Sequence, residues 1–115
     1  MRKINEIYLN DVLRSIKKIE TYIHGMTIKT FLQDEKTRDA VIRNIEIIGE
    51  AINRLPTEFF RKYPKFPSRE AISMRNFLIH DYSNIISKVV WKTIKKDIPA
   101  LKKQIMKIQS GLKQI

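Results

Sequence analysis

Apolar residues recur along this chain at mixed intervals of three and four. Ile4, Tyr8, Val12, Ile16, Ile19 and Ile23 follow one another at four, four, four, three and four. Val41, Ile45, Ile48, Ile52 and Leu55 follow at four, three, four and three. Val90, Ile94, Ile98, Leu101, Ile105, Ile108, Leu112 and Ile115 repeat the rule near the other end. An α-helix turns once in about 3.6 residues, so each set lies in one stripe; a strand, with period two, buries no such set on one face. Helices with one apolar face must pack on one another, which predicts an all-α fold. Three Gly and four Pro in 115 residues agree, because a sandwich or barrel needs frequent turns.

The boundaries are also readable. The first helix is predicted to run to about His24, with Gly25 ending it. TIKTFLQDEKT (residues 27–37) reads as a connector with a short turn around Phe31, and Asp34 as the N-cap of the second long helix. Pro56 stops that helix. PTEFFRKYPKFP (residues 56–67) reads as a short helical turn at 58–63 within an irregular connection. Its Phe59, Phe60, Tyr63 and Phe66 form either a lid on the core or, less in keeping with the missing strand context, a base-stacking platform. Ser68 is placed to cap a third helix, with Glu70 in its first turn. Ser83 and Asn84 mark a break. In the last stretch Pro99 implies a kink, or a restart capped by Asp97. No repeat, low-complexity segment or linker divides the chain. The expectation is an antiparallel four-helix bundle in one domain, residues 1–115, with a short extra helical turn before the third helix and a kinked last helix.

Charge narrows the partners. The net charge is +11, and from Lys88 onward eight Lys face one acid, Asp97. Such a surplus favours a polyanion, since Lys and Arg that neutralise phosphates release condensed counterions; the alternative is a lysine-coated solvated face. No apolar run approaches the roughly 20 residues of a membrane span. Glu6 and Asp11 interrupt what a signal peptide would keep apolar, so a cytoplasmic protein with no membrane association is expected. With no Cys, disulfides and thiolate metal sites are excluded.

The chemistry-bearing residues crowd into MRNFLIHDY (residues 74–82). Arg75 and His80 lie about 140° apart on an ideal helix, whereas Asn76 and His80 share a face. A site therefore requires the chain to fold back after His80, or a second subunit. His exchanges protons near neutral pH, and Arg offers a fixed charge with a fork of donors suited to phosphate. Together they suit metal-independent cleavage of an RNA phosphodiester: the 2′-OH attacks phosphorus, His80 moves a proton, and Arg75 stabilises charge on the phosphoryl oxygens. Asn76, Asp81 and Tyr82 are the supporting or substrate-binding candidates. The competing reading is an Arg and a His that merely pack and cap a helix end. His80 and Asp81 are adjacent and His24 is remote, so no metal-ligand spacing exists and no cofactor is expected. Gly49, mid-helix, marks either slack or close helix approach. Glu46 and Glu50, on one helix face, are either solvated acids or partners that neutralise Arg75.

Arg75, four residues, His80, one residue and Tyr82 resemble the Arg-x-x-x-x-His-x-Tyr motif of HEPN-domain ribonucleases, and the chain as a whole resembles the HepT toxin family. NIEIIGEAINRLP (residues 44–56) is similar to that family's second-helix signature. MRNFLIHDY follows through a KYPKFP-type connector, and VVWKTIKKDIPALKKQI (residues 89–105) resembles its last-helix signature, Trp91 and Pro99 included. The chain departs at Ser68, where a Trp is expected, and at Ser73, where a Gly often stands; both bear on loop geometry and pairing specificity. The resemblance implies a HEPN-like helical bundle that dimerises, bringing two motifs into a composite active site. It implies Arg75 and His80 as catalytic residues of a metal-independent endoribonuclease that leaves 2′,3′-cyclic phosphate and 5′-OH ends. It also implies a type VII toxin–antitoxin (HepT/MntA) pairing, in which a nucleotidyltransferase antitoxin of the MNT type transfers AMP to Tyr82. The alternative is a non-catalytic helical module that binds a nucleotidyltransferase or nucleic acid.

Overall fold

A computed structural model of the chain describes residues 2–67 and 84–113, and all regular structure among them is helical. In order these are α1 (Arg2–Tyr22), α2 (Ile28–Gln33), α3 (Glu35–Asn53), α4 (Thr57–Lys62), α5 (Asn84–Lys92), a π-helical turn (Thr93–Asp97) and α6 (Ile98–Lys113). The predicted third helix, with Ser68, Glu70 and Ser73, lies outside the described residues.

The stripes become the core. Val12, Ile16 and Ile19 of α1, Val41, Ile45, Ile48 and Ile52 of α3, and Val90, Ile94, Ile98, Leu101 and Ile105 of the last stretch are all buried. Each such side chain contributes about 1.5–3 kcal/mol on leaving water. The stripe of α1 is shifted from expectation at its start: Leu9 is fully buried and Ile4 is exposed. α1 packs chiefly on α3 and also meets α6. Lys102 Nζ lies 3.0 Å from the Glu20 carboxylate, and Gln109 Nε2 donates to Asn10 Oδ1 at 2.8 Å. Residue numbers rise along one helix as they fall along the other, so α1 and α6 are antiparallel. These exposed pairs register the helices and add little stability.

Gly25 behaves as its position suggested. Its φ of +77° is the left-handed conformation that ends a helix without steric cost only in glycine. A Cβ built there would meet nothing within 4 Å, so any penalty is purely conformational. Gly25→Ala is expected to destabilise the fold by about 1 kcal/mol, and Gly25→Asn by less, in urea unfolding.

The connector after Gly25 is more ordered than the sequence suggested. Residues 28–33 form a full helix, because Thr27 and Thr30 cap it reciprocally: Thr30 N–H donates to Thr27 Oγ1 at 3.2 Å, and Thr27 N–H donates to Thr30 Oγ1 at 2.9 Å. A capping box normally carries Glu or Gln at the third position, so Thr30 gave no obvious signal. The helix exists to deliver Phe31, which is fully buried.

Asp34 caps α3 as predicted. Its carboxylate accepts from Thr37 N–H at 3.0 Å and from Thr37 Oγ1 at 2.8 Å. These bonds, with Arg38 and Lys36 nearby, hold its pKa below the ordinary carboxylate value. A depressed folded-state pKa means that the cap stabilises at pH values above the unfolded pKa and fades as pH falls through the folded one. Asp34→Ala is therefore expected to lower Tm at neutral pH, with the gap to wild type closing below about pH 4 in acid melts.

Pro99 is accommodated without the restart that is the alternative to a kink. The chain neither restarts at Asp97 nor breaks; it passes through the π-helical turn, with the Ile98 N–H bonded to the Thr93 carbonyl. Proline cannot donate to the carbonyl four residues back and its ring crowds that carbonyl. Widening the preceding turn by one residue relieves the crowding and keeps Val90, Ile94 and Ile98, spaced by four and four, on the core side. The resulting run of helix from Asn84 is 30 residues, or about 45 Å long, which matches the 46 Å longest dimension.

Candidate functional site

The residues singled out for chemistry, Arg75, Asn76, His80, Asp81 and Tyr82, all lie outside the described residues. What the structure defines is the frame that holds the ends of their segment. On the entry side, α4 and the following connector are pinned by aromatic packing. Phe59 is buried against Phe60, Tyr63 and Phe66, at ring-centroid distances of 5.5, 5.0 and 5.1 Å. Phe59 and Phe66 are closed to solvent, so these rings cover the core and the lid reading holds for them. Phe66 is thus a fixed point two residues before Ser68.

On the exit side, α5 begins at Asn84, and Ser87 and Val90 are buried. Trp91 then packs on Phe31, with ring centroids 5.1 Å apart and planes tilted by 41°. Lys95 Nζ stands 5.3 Å from the Trp91 ring centroid. The short helix α2 therefore clamps the helix that leaves the motif.

A charged cleft of about 450 Å³ opens between α3 and the start of α5. α3 contributes Arg38, Arg43, Glu46 and Asp39 to it, and α5 contributes Ser87, five residues after Tyr82. The cations are partly engaged. Arg38 Nη1 donates to the carbonyl oxygens of Phe31 and Leu32, the last turn of α2. Arg43 Nη1 reaches Glu46 at 3.4 Å, where the Glu46 side chain retains 20% of its exposure and Arg43 63%. Glu50 is exposed, in keeping with a solvated acid, whereas Glu46 faces a local arginine. Asn44 is buried; its Nδ2 donates to the Ala40 carbonyl at 2.9 Å, and its Oδ1 has no partner among the described residues. Gly49 is buried as well. The cleft arginines escaped the sequence reading because charges at 38, 39, 43 and 46 have the spacing of any solvated helix face.

His24 is exposed just beyond the end of α1. Among the described residues no helix is long and apolar enough to cross a membrane.

The described helices make an all-α bundle of the HEPN-like class, and the chain joins its aromatic lid to its clamped helix through the segment that carries Arg75 and His80. The family is narrower: the model of the HepT-like ribonucleases matches residues 12–108, and the chain belongs to that family. The chain is 42% identical over 109 residues to a Thermococcus cleftensis protein named as a probable ribonuclease HepT, covering 95% of this chain and 99% of that one. It is 47% identical over 112 residues to a Methanocaldococcus jannaschii protein whose name joins a gamma-glutamylcyclotransferase to a candidate RNase. That match covers 97% of this chain, which spans half the length of the relative. A candidate RNase of Caldanaerobacter subterraneus subsp. tengcongensis is 38% identical over 101 residues, 88% of this chain and 90% of its own. No solved structure matches significantly.

Proposed function

We propose that the chain is a metal-independent endoribonuclease and the toxin half of a type VII toxin–antitoxin pair, acting as one domain over residues 1–115 in the cytoplasm. The observation that carries this reading is that the family match runs from residue 12 to residue 108 and so encloses MRNFLIHDY. Relatives matched over nearly the whole chain bear ribonuclease names, which favours catalysis over a purely binding module.

In this reading His80 takes the proton of the RNA 2′-OH as its oxygen bonds to phosphorus. The bond from phosphorus to the 5′-oxygen breaks, and that oxygen leaves as a 5′-OH, taking from water a proton that the His80 imidazolium replaces. Arg75 holds the phosphoryl oxygens, where negative charge grows. On an ideal helix the two groups would fall on different faces, so in this reading a homodimer with two motifs at its interface supplies the composite site. Asn76 and Asp81 orient groups or bind substrate. Tyr82 is the acceptor of AMP from an MNT-type nucleotidyltransferase; the added phosphate and its bulk beside Arg75 would repel and block RNA.

The test is cleavage of end-labelled RNA by the dimer in EDTA, with end-group analysis of the products. Cleavage leaving 2′,3′-cyclic phosphate ends is expected. Cleavage that stops in EDTA and returns with a divalent metal would refute metal independence, and no cleavage by the unmodified dimer would leave the binding module as the better reading.

A further inference from the structure

A second groove lies apart from the charged cleft, between the end of α4 with its connector and the last turns of α6. Its volume is about 610 Å³, within the range of pockets that hold small ligands. Tyr63, Phe66 and Ile108 supply an apolar floor, and Lys62, Lys65 and Lys107 stand around it. Among the described residues no Asp or Glu lines it, and none of the three lysines joins an ion pair. Lys62 Nζ is 5.6 Å from the Tyr63 ring centroid, so cation and ring are presented together. Lys103, one turn before Lys107 on α6 and exposed, extends the positive edge along the helix.

Lysines around an apolar slot match one chemistry well. A single-stranded nucleic acid carries a phosphate at every residue and an apolar base face between them, and proteins hold it by tracking phosphates with cations while bases enter apolar sites. An acidic amphipathic segment of another protein offers the same signs, but the +11 charge of the whole chain draws a continuous polyanion more strongly than a few carboxylates. We infer that this groove is an accessory site for single-stranded RNA, holding a base on the part-exposed Tyr63 and Ile108, with buried Phe66 behind them, and its flanking phosphates on Lys62, Lys65 and Lys107. The choice of RNA rests on the ribonuclease reading. The groove itself does not, since its described lining, from Lys62 to Phe66 and along one face of α6, is independent of that reading.

Gly111 offers a clean probe. It lines the groove, and a Cβ added there would meet nothing within 4 Å, so a larger side chain occupies the groove without disturbing the core. The experiment is fluorescence anisotropy of a labelled single-stranded RNA with full-length His80→Ala protein, in EDTA, over a range of salt. Binding is read without cleavage, so an inactive wild type would count against the ribonuclease reading and not against the groove. Replacing Lys62, Lys65 and Lys107 by Gln is expected to weaken binding at least about tenfold and to reduce the salt slope by about 2, at about 0.7 for each phosphate that is no longer neutralised. Gly111→Leu is expected to weaken binding several-fold with the slope unchanged. Circular dichroism establishes that both variants fold. An equal loss on replacing Lys17, Lys29 and Lys36, three exposed lysines elsewhere, would overturn the site in favour of general charge attraction. RNA affinity untouched by either groove variant, with poly-glutamate binding abolished by both, would overturn it in favour of a protein partner.

Discussion

His80→Ala is expected to lower RNA cleavage by about 10²- to 10⁴-fold, the range that a positioned general acid–base group supplies, while RNA affinity and thermal stability stay near wild type. His is uniquely suited to the step because its ordinary pKa, about 6.5, leaves both protonation states populated near neutrality. Arg75→Lys is expected to restore little of what Arg75→Ala loses. A lysine keeps the charge but not the planar fork that spans two phosphoryl oxygens. Initial rates and binding measured on the same RNA separate the two roles. A His80→Ala protein that cuts at the wild-type rate would remove the proposed mechanism outright, whereas loss of binding together with rate would reassign His80 to substrate capture.

The fold was legible where a helix is long and one-sided. Val41, Ile45, Ile48 and Ile52 lie on a single 3.6-period stripe and are buried together, because periodicity reports directly on which face must leave water. Asp34 and Gly25 were legible for a different reason: a cap acceptor and a left-handed glycine each answer a local demand of the helix end. Two features were hidden. Six residues are too few to establish a period, so α2 depended on the reciprocal Thr27 and Thr30 bonds, which no propensity scale ranks highly. The π-helical turn before Pro99 was invisible because intervals of four and four at Val90, Ile94 and Ile98 also suit an α-helix; only the hydrogen bond from Ile98 back to Thr93 distinguishes the two. The candidate catalytic residues were named from their chemistry and from resemblance, since helix geometry alone separates Arg75 from His80. The groove beside α6 was hidden because it joins Tyr63 and Phe66 to Ile108 across more than 40 positions of sequence, a juxtaposition that only tertiary packing makes.

Phe31→Ala is expected to be the most damaging of the core substitutions near the site, costing about 3–5 kcal/mol. Against the roughly 5–15 kcal/mol that hold a typical domain together, that is a large share. At this chain length each kcal/mol corresponds to about 4 °C in Tm, so a drop of about 12–20 °C is expected in a thermal melt. The cost is high because Phe31 is fully buried and its ring also packs on Trp91, so truncation leaves a cavity and removes a ring contact at once. The consequence reaches function through connectivity. Trp91 sits near the end of α5, the helix that starts two residues after Tyr82, and Phe31 is what fastens that helix to α2. Cleavage is therefore expected to fall in Phe31→Ala even at temperatures where the protein is still folded, while Phe31→Leu, which retains most of the buried volume, loses less of both. An equally buried residue far from α5 provides the comparison: Ile16→Ala, on α1, is expected to cost about 2–5 kcal/mol with cleavage per folded molecule preserved. Equal loss of cleavage in both variants, once corrected for the folded fraction, would mean that α2 clamps nothing of functional importance.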